Sequence, residues 1–477
     1  MTTLVFVHGW SVTHTSTYGA LPQRLQQQAA AHGIALDIAD IWLSEYVSFD
    51  DAVTMPDLVR AFDHALRDLH LLSASFACIT HSAGGPVVRE WLRAQRERPG
   101  VHSTIRLTHL MMLAPANFGS ALAQLGKGVL GRLKAWWDGI EPGQRVLDWL
   151  ELGSAESWSL NLDHIHGEDP AGYEQFLFVL TGDRPDRGLY DHANSYTGED
   201  GSDGVVRIAA ANLNAHHAVL ARGTSAAYDT LSLHLTKAPR TAFKLIAGAS
   251  HSGTEQGIMA AAPEVTVDAL LRCLRVTDAG RYAQLCDAFE QENAERDADK
   301  IEREKVGPFP ARVHIHDPRS LLIVRLTDES GEALIGSRFL LTAGAPANPD
   351  WMPQGFMLDR QANRRSANVI SLFLNHTLLA GDQRVADPAS SRRTLRLATE
   401  AHRPYGAMLQ PADLSELVHH ALARSAASQD LFDAIGPHQT TLLDVVLPRL
   451  VHEGVFRLTQ KRAPEDFSNP VIGAVIP

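Results

Sequence analysis

The stretch Phe76–Leu92, FACITHSAGGPVVREWL, decides how the rest of the chain is read. Phe76–Thr80 has the length and bulk of a buried strand. It runs without a spacer into His81-Ser82-Ala83-Gly84-Gly85, and a helical pattern begins near Pro86. A serine in so cramped a turn gains something only if its hydroxyl must stand exposed above the end of a sheet. Strand, serine among small residues, and helix follow one another as in a nucleophile elbow. Backbone passes close to the serine in such a turn, so the residues two before and two after it must be small. Thr80 and Gly84 hold those places. The helix behind Ser82 aims backbone N–H groups and its positive dipole end at the same spot. The competing reading, a plain strand–loop–helix connection with a chance Ser-Gly cluster, leaves the order of the three parts unexplained.

Outward from this stretch, residues 1 to about 276 alternate between strand and helix patterns. Strands are expected at Thr3–Val7, Ile34–Trp42, Ile105–Leu113, Phe176–Leu180 and Phe243–Ala247, and helices at Tyr18–Ala31, Met55–Leu72, Pro86–Gln95 and Val265–Val276. Strands separated by helix-length segments imply right-handed crossovers and a mostly parallel sheet covered on both faces, an α/β fold. One interval is too long for a crossover: residues 116–172 form an insertion. In it Leu122, Leu125, Val129, Leu133 and Trp136 recur at spacings of three and four, and Trp136, Trp137, Trp149 and Trp158 make up half of the chain's tryptophans. A helical cap over the carboxyl edge of the sheet is expected there.

At 477 residues the chain is too long for one ordinary domain. Residues 277–308 read as a charged helix or linker. Residues 309–477 read as a β-rich (α+β) second domain, with strands at Ala311–His316, Leu321–Leu326, Arg338–Thr342, Val369–Leu374 and Val455–Leu458 and helices at Asp413–Ser425 and Thr441–Val451. The formal net charge of −12 argues against nucleic acid and anionic membrane surfaces as partners. Three cysteines make neither a disulfide framework nor a thiolate metal site, and Cys78 reads as a small core residue. The start MTTLVFVHGW reads directly as a strand, without a signal-peptide pattern, and no run is long and apolar enough to span a bilayer. The default expectation is a cytoplasmic protein, or export that needs no cleaved signal.

A serine nucleophile needs an oxyanion site, a base and an acid. LVFVHGW, Leu4 to Trp10, ends a strand in His-Gly, which brings the Trp10 N–H to the sheet's carboxyl edge. With the Ala83 N–H it makes a two-donor oxyanion hole, each donor worth about 3 kcal/mol in acyl transfer. His8 itself reads as a structural hydrogen-bonding residue. With 23 histidines, position must choose the base. His251, in KLIAGASHSGT after the last strand of the sheet, is placed to reach that edge; His217, His234 and His192 in the preceding loops are the alternatives. The acid is Asp203 in EDGSDGVVRI, with Asp183 and Asp186 of FLFVLTGDRPD behind it. Glu199, Asp200 and Asp203 could instead hold calcium, but lack the spacing of a known loop. The pairs His314/His316 and His164/His166 could bind metal, though solvated positions are commoner.

The order Ser82, Asp203, His251, with His8-Gly9-Trp10 at the front, resembles the α/β-hydrolase superfamily. Within it, LAPANFGSALAQLG (Leu113–Gly126) and SDGVV (Ser202–Val206) are similar to the lid entry and acid segment of bacterial lipases, and lid and elbow also resemble phospholipase and GPI inositol-deacylase-like members. The resemblance covers residues 1–276 and implies a serine carboxylic-ester hydrolase with an acyl-enzyme intermediate and no metal or organic cofactor. Phe118, Trp136 and Trp137 are the candidates for substrate and lid contacts. A tryptophan-rich amphipathic cap favours a lipid or long acyl ester and transient contact with a lipid interface. A short-chain soluble esterase, and a binding or delivery protein with a decayed hydrolase domain, are the alternatives. The sequence names no partner for residues 309–477.

Overall fold

The computed structural model describes residues 2–8, 17–48, 50–97, 105–125, 143–184, 199–222, 231–298, 301–304, 312–344, 348–353, 355–380, 405–410, 418–420 and 428–451. The first sheet contains β1 (Thr2–His8), β2 (Leu36–Trp42), β3 (Phe76–His81), β4 (Leu107–Leu113) and β5 (Phe176–Gly182). The chain then leaves it for β6 (His216–Arg222) and β7 (Leu231–Lys237) and returns with β8 (Ala242–Ile246). The order is β2-β1-β3-β4-β5-β8, with every neighbouring pair parallel. The chain reverses direction between β1 and β3, so their carboxyl ends open a crevice at the switch point, where such sheets place ligands.

Both faces of this sheet are covered, as a parallel sheet requires. On one side Val5, Val7 and Cys78 pack against α3 (Met55–Asp68) and α4 (Gly84–Arg96), which follow α1 (Leu21–Ala31) and the short α2 (Leu43–Tyr46). On the other, Leu4, Phe6, Ala77 and Ile79 pack against α1 and the helix Glu264–Leu274. Each large apolar side chain so buried contributes roughly 1.5–3 kcal/mol. α3 starts with a capping box, in which the Thr54 N–H donates to Asp57 at 3.0 Å and its hydroxyl at 2.6 Å. α4 starts differently: Ala83 holds its N-cap position and supplies no side-chain cap. Its first-turn N–H groups are therefore not met by a capping side chain, which suits a helix end that faces a site.

The second sheet runs (357–362)-(369–375)-(319–328)-(440–447)-β6-β7 and is mixed. β6 and β7 come from the first half of the chain, so the expected division at residue 276 is not a division between sheets. The residues read as loops around His217 and His234 are strands. The expected helix Thr441–Val451 is the strand Thr440–Leu447 followed by Arg449–Val451. The Thr440–Leu447 strand lies parallel to both neighbours and is buried along nearly its whole length, so its apolar run carries no alternation to distinguish it from a helix. Val418–His420, inside the expected helix 413–425, is a strand; residues 413–417, 421–425 and the expected strand Val455–Leu458 lie outside the described residues. The helix Ala279–Ala298 occupies most of the expected charged segment 277–308 and packs on β8, and Ile301–Glu304 within that segment is a strand paired with Arg312–Ile315. Among the described residues no helix is long and apolar enough to cross a membrane.

The insertion holds the helices Gln144–Leu150 and Ala155–His166. Trp149 and Trp158 are 4% and 3% exposed, and Arg325 of the second sheet lies 4.4 Å over the Trp158 ring. These two tryptophans pack the insertion between the sheets rather than presenting it to an interface. Val129, Leu133, Trp136 and Trp137 lie outside the described residues.

Candidate active site

Ser82 stands at the carboxyl end of β3 with φ of +52°. That left-handed conformation is costly for a residue with a side chain and marks a turn held by its surroundings. The Ser82 N–H donates to the Leu113 carbonyl at 3.1 Å, and its own carbonyl accepts from Gly85 and Ala116 at 3.3 and 3.4 Å. Of the two glycines that follow, Gly85 is the one that sterics require. A Cβ on Gly84 would rest 3.4 Å from Thr80 Cβ, and one on Gly85 only 2.9 Å from Pro115 Cβ. Ala83, the second expected oxyanion donor, opens α4 directly behind the serine. Trp10 lies outside the described residues. His8 is the structural residue expected: its Nε2 meets Asp40 at 3.0 Å and its ring stacks on Trp42.

His251 follows β8 on a loop. Its Nδ1 lies 2.9 Å from Asp203 Oδ2, and its N–H donates to the Asp203 carbonyl at 3.0 Å. A carboxylate only accepts, so Nδ1 carries the proton and the neutral ring presents the Nε2 lone pair as its basic atom. The other carboxylate oxygen, Asp203 Oδ1, accepts from the Val205 and Val206 N–H groups at 2.9 and 2.8 Å. Gly204, between Asp203 and these valines, has φ of +98°, the left-handed region that favours glycine. Both side chains are buried, His251 at 5% and Asp203 at 1% exposure, whereas Ser82 is partly exposed.

The elbow and the histidine loop meet through His81. Its Nε2 donates to the His251 carbonyl at 2.9 Å, and the two rings are 4.6 Å apart. Desolvation, and next the neighbouring His251, hold His81 well below the usual imidazole range, so it is neutral near pH 7. Sequence reasoning missed His81; its place next to the serine was the available signal.

The alternatives are engaged elsewhere. His217 Nε2 meets Asp444 at 3.0 Å and its Nδ1 meets His166 at 2.7 Å, His234 is exposed on β7, and Asp183 accepts from the Gly248 N–H at 2.7 Å and pairs with Arg296. His192 and Asp186 lie outside the described residues, as does the His314 side chain. Glu199 binds Arg207 rather than converging with Asp203 on a cation. Among the described residues no three acidic, histidine or cysteine side chains converge as metal ligands. Phe118 is 1% exposed, and its N–H donates to the Ala210 carbonyl at 2.9 Å.

Neither protein-family models nor curated proteins gave a match to the chain. Solved structures did. Phospholipase PlaB from Legionella pneumophila matches with a TM-score of 0.85 and 37% identity, covering 98% of both chains. The same phospholipase in complex with thio-NAD matches with a TM-score of 0.83 and 36% identity, again over 98% of both. With this identity along its whole length, and with the sheet order and elbow described above, the chain belongs to the family of the Legionella phospholipase PlaB, carboxylic ester hydrolases of the α/β-hydrolase fold.

Proposed function

We propose that the chain hydrolyses fatty-acyl ester bonds of phospholipids, with Ser82 as nucleophile, His251 as base and Asp203 as the acid that orients it. The observation that carries this reading is the 2.9 Å contact of His251 Nδ1 with Asp203, made on a loop that His81 ties to the elbow of Ser82. Ser82 Oγ bonds to the ester carbonyl carbon as its proton passes to His251 Nε2. The oxyanion accepts from the Ala83 N–H, and the sequence nominates the Trp10 N–H as the second donor. The imidazolium, stabilised by Asp203, gives its proton to the leaving alcohol, and the C–O bond breaks. Water repeats the sequence on the acyl-enzyme and releases the fatty acid. The phospholipid as substrate is supported by the 37% identity to a phospholipase. Because that relative takes up thio-NAD, a nicotinamide dinucleotide is a ligand to test; ester hydrolysis has no redox step for it.

The test is fatty-acid release from phosphatidylcholine and phosphatidylglycerol vesicles by wild type and Ser82→Ala, with fluorophosphonate labelling of both. Wild type should release acid and label; Ser82→Ala should do neither. Labelling that survives in Ser82→Ala sinks the nucleophile assignment. A chain-length series of nitrophenyl esters peaking at two to four carbons, with no release from vesicles, would favour a soluble esterase instead.

A further inference from the structure

The loop that carries Asp203 is held from behind by residues of the C-terminal half. It ends in Arg207, which is 1% exposed. Arg207 Nε and Nη2 grip Glu199 at 2.9 and 3.0 Å, closing the loop on itself, and Nη2 also donates to Asp359 at 2.5 Å. Asp359 sits on the edge strand Met357–Ala362, where the pairing with Val369–Asn375 shifts register. The guanidinium lies 4.2 Å from the ring centre of Phe373 on that neighbouring strand. At the other end of the loop, Gly201 (φ +82°) presses on the same surface: a Cβ there would stand 2.5 Å from Arg319 Cγ and 3.4 Å from Phe373 Cζ. Between these anchors Ser202 bridges to Arg207, and Asp203 follows at once.

A guanidinium taken this far out of water is costly except where its bonds are well formed. Here they tie one loop to another sheet. We infer that Arg207, anchored by Asp359 and Phe373, is a positioning residue that holds the Asp203 carboxylate on His251, and that the C-terminal sheet thereby sets the geometry of the hydrolytic site. The inference rests on the Ser82–His251–Asp203 reading. It gives Asp359 and Phe373 a part in the reaction that is exerted through Arg207.

The test uses the full-length chain, with Asp359→Ala and Asp359→Glu made in both the wild-type and Asp203→Asn backgrounds and kcat and KM measured separately. A displacement of the acid by about an ångström lowers turnover by about 100-fold. Asp359→Ala should therefore lower kcat roughly 10- to 100-fold and leave KM within about twofold, and Asp359→Glu should restore most of the loss. On top of Asp203→Asn, Asp359→Ala should cost less than about twofold more, since both act through one carboxylate. If the two losses multiply in full, or if Asp359→Ala lowers kcat no more than it lowers the folded fraction, the inference is overturned. Should Asp359→Ala not fold, Phe373→Leu keeps every charge and carries the same comparison: a kcat loss that vanishes in the Asp203→Asn background supports the inference, and one that persists or never occurs overturns it. Wild-type activity in Asp203→Asn alone would instead sink the underlying reading.

Discussion

Asp203→Asn separates catalysis from stability at one atom. The aspartate is buried and its two oxygens have distinct work: Oδ1 accepts two backbone N–H groups, and Oδ2 accepts the His251 Nδ1 proton. An asparagine can set its carbonyl oxygen where Oδ1 was and keep both backbone bonds. Its NH2 group then faces Nδ1 at 2.9 Å, donor against donor. The ring answers by moving its proton to Nε2, the atom that takes the Ser82 proton in the proposed mechanism. A triad locked in the wrong tautomer loses about 10⁴ in kcat, equivalent to about 5.5 kcal/mol of barrier. Three charge-assisted bonds become neutral ones while the cost of burying a charge falls away, a net change of about 1 kcal/mol. Asp203→Ala leaves two buried N–H donors without an acceptor, at roughly 1–3 kcal/mol each. The paired assay is vesicle hydrolysis and urea denaturation. Asn should be nearly as stable as wild type and almost inactive; Ala should be inactive and clearly less stable. Asparagine activity within tenfold of wild type would refute the role of Asp203 in setting the tautomer.

Three further outcomes follow from local geometry. Burial first, and Arg89 second, push the His164 imidazole down to about 3. The folded chain thus refuses a proton that the unfolded chain accepts near pH 6.5, so this stability is complete above that value and is lost as the pH falls toward 3. Urea midpoints of His164→Gln should fall less steeply than wild type between pH 7 and 4, and equal slopes would contradict the assignment. In Gly182→Ala the new Cβ would stand 2.0 Å from the Ala249 carbonyl oxygen, backbone that cannot yield without moving the His251 loop. Hydrolysis should drop more than tenfold with a destabilisation of about 1–3 kcal/mol, and an active, equally stable variant would count against this packing. Leu443→Ala empties a fully buried position in the central Thr440–Leu447 strand and should cost about 2–5 kcal/mol in one cooperative urea transition. A separate, unaffected transition of the first sheet would contradict the interlocked sheets.

What could be read along the chain was what contacts near in sequence decide. The elbow announces itself because Thr80, Ser82 and Gly84 answer to one another across four residues. Asp203 was legible because the N–H groups it accepts belong to Val205 and Val206, its own near neighbours. β7 was legible and overlooked: Leu231, Leu233 and Leu235 alternate with Ser232, His234 and Thr236, the period of a half-buried strand. The Thr440–Leu447 strand was not legible, because its partners lie more than a hundred residues upstream and its two buried faces erase the alternation. Trp149 and Trp158 mislead for a related reason: tryptophan fits a wet interface and a dry seam between layers equally well, and only the second sheet, with Arg325 over Trp158, distinguishes them. The Arg207–Asp359 contact spans 152 positions and has no local mark at all.

The place of β6 in the second sheet has a consequence for how the polypeptide is made. Its parallel neighbour Thr440–Leu447 leaves the ribosome about 220 residues later, which at ordinary synthesis speeds is roughly 10–45 s. Through that interval the nascent hairpin carries an open apolar flank, including Ala218 and Leu220, that can zip onto the wrong chain. Emergence of the Thr440–Leu447 strand, rather than completion of the first sheet, is therefore the moment at which the second sheet closes, and shortened versions ending near residue 276 should precipitate instead of yielding a minimal hydrolase.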